Sequence, residues 1–152
     1  AMMLSPSGRV STAELTNDRI EELAVMRSLI EVELSSRALP RAHSALIDRL
    51  KTINASVSQA ITTHNPVEYI RTNLEFHRML YLRAQAPAML AIAETVWLQL
   101  GPTMRSLYEQ FNRKEPPHTH TAIIAALTAG DEPGLRLAVR SDVTHGLRHL
   151  LK

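Results

Sequence analysis

Apolar side chains recur with the 3.6-residue period of an α-helix along almost the whole chain after residue 15, and no stretch alternates convincingly with the two-residue period of a strand. Glycines (5 of 152 residues) and aromatic residues (4%) are also too scarce for a β-sandwich or barrel built from many turns. At this length the chain amounts to about one domain. The sequence therefore predicts a single all-α bundle.

Capping and helix-breaking residues divide this pattern into segments. The strongest start signal is Asn65 as N-cap, followed by Pro66 at the first helical position and Glu68 three residues after the cap. Residues 1–15 have no periodicity and are predicted to be a tail or linker before a domain over residues 16–152. The predicted helices cover about residues 17–38, 42–63, 66–84, 87–100, a short segment near 104–111, 119–129, and 132 to the C-terminus.

Composition removes several classes of function. The absence of cysteine excludes disulfide scaffolds, thiolate metal sites and cysteine nucleophiles. The net charge of +2 is too small, and the basic residues are too scattered, to mark a nucleic-acid-binding surface. No apolar run approaches the roughly 20 residues of a membrane span, and the N-terminus lacks the features of a signal peptide. A cytoplasmic location without membrane contact is therefore expected.

Polar side chains on the apolar faces of three predicted helices are the candidates for function, because burying them costs free energy unless they are paired. Asn73 and His77 lie one turn apart on the third helix, His120 lies on the sixth, and Asp142 lies centrally on the seventh with His145 at its flank. Imidazole with one carboxylate is a ligand set that suits zinc, nickel or similar divalent ions. A lone interior histidine is more often a hydrogen-bonded core residue, but the convergence of three helices favours a shared polar centre.

Arg27 and Glu31 lie one turn apart in the middle of the apolar stripe of the first helix. One interpretation is an internal ion pair that fixes helix packing. The other is that Arg27 presents its guanidinium fork to a carboxylate ligand in a cavity. A cation and an arginine facing one cavity would attract a small organic acid, and the arrangement would then be a sensor pocket.

Three short segments carry a family resemblance. Residues 27–31 (RSLIE), 73–77 (NLEFH) and 120–131 (HTAIIAALTAGD) are similar, in that order, to R-x-x-L-E, D-x-x-F-H and H-x-x-I-x-x-A-L-x-x-G-D. In their order and separation they resemble the C-terminal effector-binding domain of the FadR-type GntR transcription regulators, the FCD domain. The likeness covers about residues 15–152.

This resemblance implies a six- or seven-helix antiparallel bundle that dimerises around a central pocket for a small carboxylate effector. In many relatives the pocket holds a divalent metal bound by one aspartate and three histidines. Carried over to this chain, the metal ligands are Asn73, His77, His120 and Asp142, and zinc or nickel is the expected metal. Asn73 stands where aspartate is usual and Asp142 where the last histidine is usual, so the set keeps one carboxylate but has one imidazole fewer. His145 could replace Asp142 as a ligand, or it could contact one of the ligands without touching the metal.

The implied function is the ligand-sensing and dimerisation domain of a bacterial transcription regulator, with Arg27 as the effector-binding residue. The family's winged helix-turn-helix would precede this domain, and residues 1–15 are too short to contain it, so operator DNA is expected to bind only through that missing part. One alternative is a small metal-dependent helical-bundle enzyme, although the only Glu-x-x-His match, at residues 115–118, lies in a proline-containing linker. Another is a purely structural helical dimer.

Overall fold

The structure, a computed structural model, describes residues 2–4, 10–12, 16–101, 105 and 119–148, with only the backbone for 2–4, 10–12, 119 and 145–148. This part of the chain is an antiparallel bundle of six α-helices, which confirms the predicted all-α class. The helices are α1 (Asn17–Ala38), α2 (Ser44–Thr62), α3 (Pro66–Tyr81), α4 (Pro87–Gln99), α5 (Thr119–Ala129) and α6 (Glu132–Arg148). The predicted short helix near residues 104–111 lies outside the described residues, apart from Arg105.

Two predicted helix boundaries were wrong by one turn or less. The second helix begins at Ser44 rather than residue 42, because Pro40 lies in a 3-10 turn over Leu39–Arg41 and His43 has an extended backbone. The third α-helix ends at Tyr81 rather than residue 84, and a separate 3-10 turn over Leu82–Ala84 follows it.

Two short strands near the N-terminus were not predicted. Met2–Leu4 (β1) pairs antiparallel with Val10–Thr12 (β2), and Met3 lies opposite Ser11. Strands of three residues are too short to produce a recognisable two-residue alternation.

Helix α1 is central to the bundle. It packs most extensively against α6 and also contacts α4 and α3, while α2 packs against α3 and α5, and α5 packs against α6. None of the helices in the described ranges is long and apolar enough to cross a membrane.

The buried apolar residues form two clusters, and polar residues lie between them. One cluster contains the N-terminal part of α1, up to Ala24, and the other contains the part of α1 from Val32 onward. The intervening stretch of α1 carries the buried pair Arg27 and Glu31. On α3, Asn73 likewise lies between Tyr69 of the first cluster and Phe76 of the second. The bundle therefore has a polar layer across its middle, which is where the candidate site lies.

Candidate metal centre

His77 of α3, His120 of α5 and Asp142 of α6 meet in the interior of the bundle. One potential ligand atom from each of them lies within 4.8 Å of those of the other two. The Asp142 Oδ2 atom is 2.8 Å from His77 Nε2 and 3.6 Å from His120 Nε2. Both histidines are buried, and the Asp142 side chain is 11% exposed. The structure thus brings together three of the four predicted metal ligands.

Local sequence signals explain why the supporting helices begin where they do. Asn65 Oδ1 accepts a hydrogen bond from the Glu68 amide (3.1 Å), which caps α3 as predicted. Asp131 Oδ1 accepts one from the Gly134 amide (3.0 Å) at the start of α6. Gly130, between α5 and α6, has φ +65°, a backbone conformation that costs glycine little. These caps fix the registers from which His77 and Asp142 project.

The Glu31 carboxylate is linked to His77 through the hydroxyl of Tyr81. Glu31 Oε1 accepts a hydrogen bond from the Tyr81 hydroxyl (2.9 Å), and the same hydroxyl lies 3.2 Å from His77 Nδ1. Glu31 Oε2 accepts from Trp97 Nε1 (3.1 Å), and Arg27 donates to both carboxylate oxygens. A fully buried carboxylate therefore has four hydrogen bonds from three side chains, which satisfies its demand for partners.

Two side chains orient His120. Phe76 stacks on the imidazole ring, with centroids 4.1 Å apart and planes 7° apart. Asn54 Oδ1 lies 3.2 Å from His120 Nδ1. The opposite ring nitrogen, Nε2, is the one that faces Asp142.

The charges of this centre are strongly coupled. Burial alone would raise the pKa of Asp142, but His120 and His77 outweigh it and hold that pKa well below the ordinary value of 3.8. Burial alone would likewise lower the pKa of Arg27, and the neighbouring Glu31 carboxylate reverses this, with a smaller contribution from Asp142. Asp142 is therefore a carboxylate at neutral pH, and Arg27 lies within its electrostatic reach.

The remaining predicted site residues have different surroundings. Arg27 is 5% exposed and forms the internal ion pair with Glu31 that was one of its two interpretations. Asn73 is buried on α3, one turn before His77. His145 belongs to α6, but its side chain lies outside the described part of the chain.

The sequence analysis missed three side chains that support the centre. Tyr81, Trp97 and Asn54 were not singled out as candidates for function. A usable signal existed for Asn54, since it lies four residues after Leu50 and three before Val57, both on the buried stripe of α2.

A surface groove of about 500 Å³ lies between α3 and α4 and does not contain the predicted ligands. Its lining residues are Arg71, Leu74, Glu75, Arg78, Glu94, Trp97 and Leu98. The Trp97 side chain therefore connects this groove with Glu31 in the interior.

The described part of the chain is thus an all-α bundle with a buried cluster of two histidines and one aspartate at its middle. The chain matches the FCD domain family over residues 22–145, and it belongs to that family. The resemblance read from the three sequence segments is thus confirmed. FCD domains are parts of transcription regulators, so the alternative of a small metal-dependent enzyme was wrong.

Known regulators are similar to this chain in sequence and in fold. The HTH-type transcriptional regulator McbR of Escherichia coli, a GntR-family protein, is 23% identical over 139 residues, which are 90% of this chain and 63% of McbR. The solved structure of E. coli McbR/YncC superimposes with a TM-score of 0.81 at 20% identity, over 95% of this chain and 73% of that chain. A second structure is that of Lar, which controls the expression of the Listeria monocytogenes agr system and mediates virulence. It has a TM-score of 0.66 at 12% identity, over 98% of this chain and 73% of that chain. These two structures share the fold of this chain.

Proposed function

We propose that this domain senses a small organic acid through a divalent metal bound in the middle of the bundle, and that it dimerises as part of a cytoplasmic GntR-family transcription regulator. The convergence of His77, His120 and Asp142 from three helices is the observation that carries this proposal. In the proposed arrangement, operator DNA is bound by a separate winged helix-turn-helix domain, and the effector shifts the balance between arrangements of two such domains.

The donor set supports a metal. Two imidazoles and one carboxylate satisfy zinc or nickel, and ligands that share an ion at about 2.1 Å lie about 3.0–3.4 Å from one another. The separations of Asp142 Oδ2 from the two Nε2 atoms, 2.8 and 3.6 Å, bracket that range. The His77 Nε2 atom is also buried, and the Asp142 carboxylate lies 2.8 Å from it. Asn73 is the proposed fourth position, through its side-chain oxygen.

Arg27 supports the acidic nature of the effector. Arg27 is a buried cation, and Asp142 is one of the groups that raise its pKa. A carboxylate that enters the polar layer competes with Glu31 for the guanidinium, whose planar fork can accommodate two oxygens. The ligand would then contact the metal with one group and Arg27 with another.

The outer face of α1 and α4 is the proposed surface for a homodimer. A hydrogen bond from Arg19 to Gln99 places the start of α1 beside the end of α4, so the two helices run antiparallel. Their exposed faces carry Leu29 and Ile92, which are 68% and 53% exposed. Leu29→Glu is expected to produce monomers in sedimentation velocity, whereas Leu137→Glu, at a position 65% exposed on α6, is not. A parent domain that sediments as a monomer would contradict the dimer.

A thermal-shift experiment tests the sensor. Zinc or nickel is added to the purified domain, followed by a panel of hydroxy acids, sugar acids and dicarboxylates. We expect the metal to raise Tm and at least one acid to raise it further only when the metal is present. Asp142→Asn should lose both responses. If neither metal nor acid changes Tm, the domain is a structural dimer module.

A further inference from the structure

The surface groove between α3 and α4 combines apolar and charged side chains. Its volume of about 500 Å³ lies within the usual range for small-molecule sites, roughly 300–1,000 Å³. Leu74, Trp97 and Leu98 supply the apolar part of its lining. Leu98 is 83% exposed, the highest value among the large apolar side chains that the structure describes. A ligand with an apolar group would therefore remove exposed hydrocarbon from water in this groove.

The Trp97 side of the groove is held in place from the interior of the bundle. Trp97 Nε1 donates a hydrogen bond to Glu31 Oε2 (3.1 Å), and the indole stacks on Tyr81 with ring centroids 6.2 Å apart. Glu31 is itself fixed by its ion pair with Arg27. The indole is thus ordered before any ligand arrives, and a preformed wall reduces the entropy that binding costs.

Two of the four charged lining residues already have strong partners. Arg71 forms ion pairs along α3 with Glu68 and, at 3.0 Å, with Glu75. Glu75 has a second arginine partner, Arg49 of α2, at 3.3 Å. The charges of Arg71 and Glu75 are therefore balanced within the protein, and a charged ligand has to be recognised by the other two residues.

Those two residues, Arg78 of α3 and Glu94 of α4, both have unused polar groups. Arg78 Nε donates to Glu94 Oε1 at 3.4 Å, which is longer than the usual range of about 2.7–3.2 Å. Within the part of the chain that the structure describes, the Arg78 Nη atoms and Glu94 Oε2 have no other hydrogen bond. The groove thus offers guanidinium donors and a carboxylate acceptor side by side, next to its apolar lining.

We propose that this groove is a second ligand site, which binds a free α-amino acid with a large apolar side chain. The carboxylate of the ligand accepts hydrogen bonds from the Arg78 Nη atoms, and its ammonium group donates to Glu94 Oε2. The two charges of an amino acid are one carbon atom apart, so it can lie head-to-tail beside this ion pair and adds no net charge. An acid or an amine alone would place its charge next to the like charge of Glu94 or Arg78. The apolar side chain then covers Leu74, Trp97 and Leu98.

Binding is measured on the 152-residue chain without metal and with a chelator present, because an amino acid would also coordinate a metal in the central site. Trp97 is the only tryptophan of the sequence, so its fluorescence reports on the groove. We expect L-leucine to change this fluorescence saturably and to give a saturation-transfer NMR signal. The probes 4-methylpentanoate, which lacks the ammonium group, and 3-methylbutylamine, which lacks the carboxylate, should bind about fivefold more weakly, the upper value for an exposed charge pair.

Charge variants should change this preference in a defined way. In Glu94→Gln the ammonium group loses its partner, so leucine should bind no more tightly than 4-methylpentanoate. In Arg78→Gln leucine should bind no more tightly than 3-methylbutylamine. Arg37→Gln is the matched control, because the Arg37–Glu33 pair on α1 has a similar exposure and is not part of the groove lining. This control should keep the preference for leucine.

The apolar contact has a separate test. Leu98→Ser should weaken leucine binding, whereas Leu137→Ser, at an exposed position on α6, should not. The substituted side chains are exposed or half-buried, so we expect all these variants to fold, with Tm values close to that of the parent. Leucine that gives no signal by either method, equal binding of the three probes, or variants that leave the preference unchanged would overturn the site. None of these failures would affect the proposed function, which is tested by the response of Tm to metal.

Discussion

Arg27 and Glu31, one turn apart on α1, form an ion pair in which neither side chain is more than 5% exposed. The same carboxylate accepts hydrogen bonds from Tyr81 and Trp97, so α1, α3 and α4 are joined at one buried charge. Removing one partner of a buried pair leaves the other charge without compensation. The polar layer is therefore also a structural requirement of the bundle.

Arg27→Met is expected to lower the free energy of unfolding by about 3–5 kcal/mol, because it leaves the Glu31 carboxylate buried without its cation. Urea denaturation measures this change. Arg37→Met is the matched control, since Arg37 pairs with Glu33 at 3.5 Å on the same helix but both are at least 39% exposed. Its cost should stay below about 1 kcal/mol. Similar costs for the two variants would show that the buried pair has no special role.

Acid should destabilise the parent more steeply than Glu31→Gln. The pKa of Glu31 lies below 4.5 in the folded protein. The ionised carboxylate therefore stabilises the fold at pH values above the unfolded-state pKa, and this stabilisation is lost as the pH falls through the folded-state pKa. We expect the free energy of unfolding of the parent to decrease as pH falls below about 4.5. The other carboxylates are common to both proteins, so the difference between their urea midpoints isolates Glu31. Parallel pH profiles would contradict the assignment.

Metal removal should lower the stability of the parent. At a free zinc concentration about 100 times Kd, binding contributes about 2.7 kcal/mol, and a chelator should abolish this contribution. His120→Ala should show no zinc-dependent change in Tm, whereas His43→Ala, at an exposed position before α2, should respond as the parent does. An equal zinc response in His120→Ala would place the metal elsewhere.

The cap of α3 should account for a modest part of the stability. Asn65→Ala removes the side-chain acceptor for the Glu68 amide and is expected to cost about 1 kcal/mol. Asn65→Asp retains an acceptor and should cost little. Chemical denaturation of the two variants checks the difference, and an equal loss in both would argue that the cap contributes through packing instead.

Much of the fold and of the centre could be predicted from the sequence because the signals are local. The start of α3 follows from Asn65 and Pro66, and the inward faces of α3 and α5 follow from the spacing of His77 and His120 among apolar neighbours. The helix boundaries next to the two 3-10 turns were less predictable. At Leu82 the change from α-helix to 3-10-helix only shortens the hydrogen-bond spacing by one residue.

The side chains that support the ligands were harder to predict. Tyr81 and Asn54 have helical spacings that place them near the buried stripes, but the contacts of Asn54 with His120 and of Trp97 with Glu31 form only when α2 packs against α5 and α4 packs against α1. The role of Arg27 could not be decided from the sequence either. Its spacing from Glu31 allowed both an internal pair and a ligand contact, and the pair is what the structure contains.

Metal content of the purified domain, measured by mass spectrometry, tests the central claim most directly. The parent is compared with the His77→Ala, His120→Ala double variant and with His43→Ala as control. The account predicts close to one equivalent of metal in the parent and the control, and none in the double variant. A parent without metal after incubation with zinc or nickel, or a double variant that retains it, would contradict the His77–His120–Asp142 site.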